Sequence, residues 1–336
     1  MRNTWFALCL GLGLSLIGEA AVAEGRLNVL CGANEDWCQL MADTFRKETE
    51  IQVAIVRKSS GEILAQLRAE ARNPKVDVVW GGTGDPHLQA AAEGLTEQYM
   101  VDRKDLLGWA INLADISGNR TIGIYAGVLG IGYNESLLKE KKLPVPACWR
   151  DLANPAYKGE IQVANPNSSG TAYTELATLV QIFGEDPAFK LLSDIHANVN
   201  QYTKSGVAPG KAASRGETTI AIGFMHDMVA EAKAGFPIKI VSPCEGTGHE
   251  VGAVSIVKGA RNLDNAKKWV DFSLRPDIQA LAAQVKSYQL PSNARAAVPP
   301  EAPDLALIKL IDYDFATYGS EETRKRLLAR FSAITK

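Results

Sequence analysis

Apolar residues fall in short runs separated by amphipathic stretches. Residues 27–31, 52–56 and 76–80 are compact apolar runs and read as strands. Between the first two, 38–50 places Leu40, Met41, Thr44 and Phe45 on one face at helical spacing. Between the second and third, 61–72 turns Ile63, Leu64 and Leu67 to one side. Strand–helix–strand alternation predicts an α/β fold with a mainly parallel sheet covered by helices.

The pattern changes over 121–134, which is long, apolar and punctuated by glycines. It is too rich in Gly for one helix and suits strands crossing between two lobes. A second α/β run follows from Pro144, with strands at 161–164, 219–223 and 238–241. Its helices are expected at 172–183, 188–195 and 226–234. Residues 251–257 read as a return strand, and helices are expected at 263–274 and 277–285. The expected division is a first lobe at 24–125 and a second at 126–250. The return strand and C-terminal helices, 251–336, would pack mostly on the first lobe. In open α/β sheets, ligands bind at loops past the carboxyl ends of strands. Two such lobes facing each other bring those loops to one cleft.

Composition narrows the function classes. The 336 residues carry 36 Lys+Arg and 38 Asp+Glu, a net charge of −2, with 46% apolar and 22% charged residues. That excludes intrinsic disorder and argues against a broad basic face for nucleic acid. It leaves room for an anionic ligand held by backbone N–H groups and hydroxyls, which charge counting does not register.

Residues 1–23 read as an export signal. Arg2 precedes an apolar run at 5–17, and Ala21-Val22-Ala23 forms a small-x-small cleavage site. The run is shorter than the ~20 residues a spanning helix needs. Export places the chain in an oxidising compartment, the periplasm. Cys31, Cys38, Cys148 and Cys244 then fit two disulfides, with three possible connectivities. The short loop between Cys31 and Cys38 favours local closure, which leaves Cys148 with Cys244. No metal or cofactor is expected: there is no CxxC pair, and the four histidines are scattered. His87 and His249 read as surface residues, and His196 as mid-helix.

Two serine-rich segments carry candidate chemistry. Lys58-Ser59-Ser60-Gly61 and Asn165-Pro166-Asn167-Ser168-Ser169-Gly170-Thr171 each follow an expected strand and open an expected helix. Free N–H groups and the helix dipole favour an anion there, and Gly permits close backbone approach. Serines also cap helices for structural reasons alone. Neither segment is a nucleotide-hydrolase phosphate loop, because no Gly-Lys-Ser/Thr follows. Gly81-Gly82-Thr83-Gly84 lacks dinucleotide spacing and fits a tight turn or a close ligand approach. Asn34, just past the first strand, joins the candidates by position. His226-Asp227 and the segment Cys244 to Glu250 follow two later strands. Their acceptors suit the hydroxyls of a polyol or sugar, although Asp227 also fits a helix start on its own account. Catalysis is disfavoured. No Gly-x-Ser-x-Gly elbow exists, and Glu245 and Glu250 share one loop, which ill suits carboxylates flanking a glycosidic bond.

Several segments together resemble the substrate-binding proteins of ABC importers. They are Leu27-Asn28-Val29-Leu30-Cys31, Asp77-Val78-Val79-Trp80-Gly81-Gly82, Gly130-Ile131-Gly132-Tyr133-Asn134, Trp149-Arg150-Asp151-Leu152 and Tyr157-Lys158-Gly159. The most specific are Asn165-Pro166 leading to Ser169-Gly170-Thr171-Ala172-Tyr173, and Glu245-Gly246-Thr247. More narrowly, the chain is similar to the extracellular solute-binding family of ferric-ion, phosphonate, thiamine and hexose-phosphate binders. That resemblance implies a two-lobed type 2 periplasmic binding fold. The fold closes on one solute and docks on a membrane permease that this chain does not contain. Ferric members hold iron with adjacent tyrosines after the strand at 219–223. Here that place reads Phe224-Met225-His226-Asp227, which is similar to the hexose-phosphate binders.

The expectation is therefore a monomer that captures a small anionic solute, a sugar phosphate or related organophosphate. Ser59, Ser60, Gly61, Ser169, Gly170 and Thr171 would hold the phosphate, with Gly82 and Thr83 beside them. His226, Asp227 and Glu250 would face the sugar. A ferric-ion importer component and a periplasmic phosphate-ester hydrolase are the alternatives.

Overall fold

The computed structural model describes residues 25–336; the expected export signal and its cleavage near Ala23 lie outside them. The chain runs β1 (Arg26–Cys31), α1 (Glu35–Thr49), β2 (Gln52–Arg57), α2 (Ser60–Glu70), β3 (Val78–Thr83), α3 (Gly84–Ala92), α4 (Gly108–Ile116) and β4 (Ile122–Asn134). It continues with α5 (Glu135–Glu140), β5 (Ile161–Ala164), α6 (Gly170–Phe183), α7 (Glu185–His196), β6 (Val199–Thr203), α8 (Ala208–Arg215), β7 (Ile220–Phe224) and α9 (Met225–Lys233). It ends with β8 (Ile238–Val241), β9 (His249–Ile256), α10 (Leu263–Ser273), α11 (Pro276–Ala280), β10 (Leu290–Pro291), α12 (Phe315–Tyr318) and α13 (Glu321–Ile334).

The strands form one path in the order β2-β1-β3-β9-β4-β7-β5-β6, with β8 and β10 both pairing β4. β1 is parallel to β2 and β3, and β5 is parallel to β6 and β7. β1 lies between two parallel neighbours, and its last three residues are all buried. β2 ends the path, and its side chains alternate between exposed and half-buried as an edge strand's do.

The segment expected to cross between lobes is a single strand of 13 residues. The first half of β4 pairs with β9 as far as Val128, and from Leu129 it pairs with β7. Two apolar cores flank this switch. One gathers Leu27, Phe45, Trp80 and Trp269; the other gathers Ile131, Trp149, Ile161 and Ile220. α10 lies on β9 and β1, whereas α13 packs against α7.

Cys31–Cys38 and Cys148–Cys244 form the two disulfides, the pairing expected from loop length. None of the described helices is long and apolar enough to cross a membrane.

The histidines depart from expectation. α3 starts immediately after β3, so His87 lies one turn in, on the inner face, and is buried. Its Nδ1 pairs with Ser255 Oγ at 2.7 Å and its Nε2 with the Gly81 carbonyl at 3.2 Å. Burial pushes His87 down to about 4. The imidazole is therefore neutral, with Nε2–H donating to the carbonyl and Nδ1 accepting from the serine. It pins a bulge in β3 where Gly81 and Gly82 both take positive φ, a conformation glycine adopts without strain. His249 is not a surface residue either; burial also pushes it down to about 4. His196 closes α7 rather than lying within it.

Candidate functional site

The loops at the strand ends converge on one partly open cavity. Eleven of the twelve expected residues line it: Asn34, Ser59, Ser60, Gly82, Thr83, Ser169, Gly170, Thr171, His226, Asp227 and Glu250. Gly61 does not. Its N–H donates to the Ser168 carbonyl at 3.1 Å, so the two serine-rich segments touch each other across the cleft.

Three helix starts meet at one end of the cavity: α2 with Ser60, α6 with Gly170 and Thr171, and α3 with Thr83 at its N-cap. Their positive dipole ends favour a negative charge. The serines are divided in duty. Ser60 Oγ accepts from the Thr83 N–H at 3.2 Å, and Ser169 Oγ accepts from the Ala172 N–H at 3.3 Å. Ser59 Oγ donates to the Lys204 carbonyl at 3.4 Å. Thr83 Oγ1 is buried and has no protein partner. A buried hydroxyl without a partner is costly, so it calls for a ligand atom or water.

A cation joins this end. Arg57, the last residue of β2, lines the cavity and donates from Nε to the Ala33 carbonyl at 3.3 Å and from Nη2 to Ser205 Oγ at 3.2 Å. The sequence-based expectation names N–H groups and hydroxyls alone and does not include this guanidinium.

The other end is built from acceptors. Asn34 caps α1 by position, yet its side chain is not used for capping. Instead Nδ2 donates to Asp227 Oδ1 across the cleft at 3.0 Å. His226 Nε2 lies 3.7 Å from Asp227 Oδ1 and 4.0 Å from Glu250 Oε1. Burial lowers the His226 pKa against the pull of Asp227, so the ring is neutral and these are not ion pairs. Burial, then Asp227 and Asp85, hold the Glu250 carboxyl well above the usual range. Burial thus favours the protonated form of Glu250 more than that of a free carboxyl, and in that form it can donate a hydrogen bond. Both side chains sit against Gly127 of β4. A Cβ there would lie 2.6 Å from His226 Nδ1 and 3.0 Å from Glu250 Oε1. His226 Nδ1 and Gln289 Oε1 are buried without protein partners.

Residues that the sequence reading did not select also line the cavity: Arg57, Tyr125, Phe224, Gln289, Gly206, Val207, Gly32 and Ala33. Tyr125 is buried, and its OH accepts from the Gly82 N–H at 2.8 Å, fixing the bulge of β3. Arg57 had a signal, a basic residue beside Lys58 at a strand end. Gln289 had none nearby.

Comparison with known proteins fits this architecture. Residues 73–317 match the model of the bacterial extracellular solute-binding protein family. The chain belongs to that family. A Haemophilus influenzae protein is 45% identical over 96% of this chain and 94% of its own length. The periplasmic binding protein AfuA from Actinobacillus pleuropneumoniae, solved with exogenous fructose-6-phosphate bound, is 44% identical with a TM-score of 0.90. The match covers 92% of this chain and 98% of that one. The periplasmic binding protein P5PA is 38% identical with a TM-score of 0.90, covering 93% and 100%. Iron-bound HitA from Pseudomonas aeruginosa, 19% identical with a TM-score of 0.76 over 92% or more of both chains, shares the fold alone. The fold is thus the two-lobed periplasmic binding fold, and the family places the chain in the periplasm. Where iron would call for hard phenolate and carboxylate oxygens, this member presents Phe224, Met225, His226 and Asp227.

Proposed function

We propose that this chain is the periplasmic substrate-binding component of an ABC importer. It captures a sugar phosphate or related organophosphate as a monomer, without chemical turnover, and delivers it to membrane permease subunits. The observation that carries this reading is the division of the cavity. Three helix starts supply N–H groups and hydroxyls, with Arg57 Nη1 reaching Ser59 Oγ at 3.5 Å, and Asn34, His226, Asp227, Glu250 and Gln289 supply the rest of the polar lining. A phosphate monoester of a polyol has the matching division. AfuA, with fructose-6-phosphate in its structure, supports the same class.

In this reading the N–H groups of Gly170 and Thr171, the Thr83 hydroxyl and the Arg57 guanidinium hold the phosphate oxygens. Such charge-assisted hydrogen bonds are the strong ones, more so where water is excluded. Asp227 accepts from one sugar hydroxyl, and protonated Glu250 donates to another oxygen. In this reading the lobes move about β4, where its pairing passes from β9 to β7 after Val128, and they close on the solute because the closed state binds it better.

A thermal-shift panel with sugar phosphates, phosphonates, inorganic phosphate and ferric salts tests the proposal. A sugar phosphate at a hundred times its Kd should stabilise the fold by about 2.7 kcal/mol, with no phosphate released on incubation. The absence of any shift with every phosphate ester overturns the reading. A shift with ferric salts alone replaces it with iron capture.

A further inference from the structure

Gly61 and Gly170 stand at the starts of α2 and α6, one in each lobe. Neither takes a positive φ, so the backbone of each would accept an alanine. What forbids a side chain at each position is the opposite lobe. A Cβ on Gly61 would lie 2.7 Å from the Asn167 carbonyl oxygen and 2.9 Å from that of Ser168. A Cβ on Gly170 would press on Thr83 Oγ1, and it would lie 2.8 Å from Thr83 Cγ2 and 2.9 Å from Ser60 Oγ. The glycines at 32 and 206 differ, because the groups a Cβ would meet there, on Gly81 and Gly82 and on Thr171 and Ser169, belong to the same lobe.

We propose that Gly61 and Gly170 are closure stops, positioning residues that set how near the two lobes come around the solute. The proposal rests on the reading above, in which binding requires closure. At each glycine the atoms a Cβ would meet within 3 Å belong to the opposite lobe, and the Gly61 N–H itself makes the contact between the two serine-rich segments. An alanine at either position keeps the backbone N–H and leaves each lobe's own packing intact. It adds one methyl that only the closed arrangement has to accommodate, and overpacking of that kind forces a shift in the surrounding atoms.

Closure has a reporter that needs no ligand. Lys204 Nζ and Glu62 Oε1 form an exposed ion pair across the cleft at 2.6 Å, within reach of a zero-length carbodiimide cross-link. The experiment measures that cross-link by peptide mass spectrometry, together with glucose-6-phosphate affinity and the melting temperature of the unliganded protein. Wild type, Gly61→Ala, Gly170→Ala and the double variant Gly170→Ala/Thr83→Ala are compared. Both single variants should lose most of the cross-link and weaken binding about tenfold or more, at an unchanged melting temperature. Removing the Thr83 side chain should restore the cross-link to Gly170→Ala, which a folding defect would not allow. Wild-type cross-linking in both single variants overturns the proposal, whatever the affinity. If the wild-type protein binds no phosphate ester, the functional reading fails, and the cross-link yields still decide this one.

Discussion

At the end of the cavity formed by α2, α3 and α6, the protein offers N–H groups, hydroxyls and one guanidinium. Around α9 and β9 it offers the Asp227 carboxyl, a neutral imidazole and a buried carboxyl, Glu250, whose surroundings favour keeping its proton. In the function proposed above, the first set would hold the phosphate and the second would sort hydroxyls. Neither free phosphate nor a free sugar would then satisfy the two sets together.

The difference between the ends is open to direct attack. Arg57→Ala should be the most damaging single change. It removes the cation shared by the phosphate end and the Ser205 contact, and costs roughly 3 kcal/mol of binding, about a hundredfold. Calorimetry should show the loss for sugar phosphate and free phosphate alike. Asp227→Ala should cost roughly 1–3 kcal/mol for the sugar phosphate and leave free-phosphate binding nearly unchanged. Equal losses for both ligands would mean that the two ends are not separate.

The smallest effect concerns Glu250. The folded protein holds its proton to higher pH than a free carboxyl does, because burial penalises the charged form. As pH rises through that elevated pKa, the donor is lost and a second anion appears beside Asp227. Affinity should fall accordingly. Glu250→Gln, which keeps a donor at every pH, should bind nearly as tightly and show a flat profile. A profile for Glu250→Gln that falls like the wild type would place the titrating group elsewhere.

Much of this division was legible in the chain. Strands β5 and β8 begin and end where their apolar runs do, and β1 extends only one residue further than its run. The two serine-rich helix starts and the pair His226-Asp227 were readable because each follows such a run. The residues missed share a different cause. Arg57 ends an edge strand, where a charged residue reads as solvated. Gln289 reaches the site only because β10 pairs with β4 at Tyr125 and Ala126, a long-range pairing with no local signature. His87 reads as a surface residue although Thr83, Asp85 and Pro86 are helix-start signals, because a helix that follows a strand without a loop gives no spacer from which to tell its inner face. Gly61 was read as a ligand contact, since a glycine at a helix start has the same sequence appearance whether a solute or another lobe approaches it.

The Cys31–Cys38 disulfide spans the segment that carries Gly32, Ala33 and Asn34 into the cavity. Both sulfurs belong to fully buried residues, so the staple is set during folding in the oxidising compartment and is then out of reach. A loop pinned in this way has little freedom left to lose when a solute arrives. The entropic cost of ordering it falls on folding rather than on each capture. In the proposed cycle of loading and unloading, that gives the site one fixed wall.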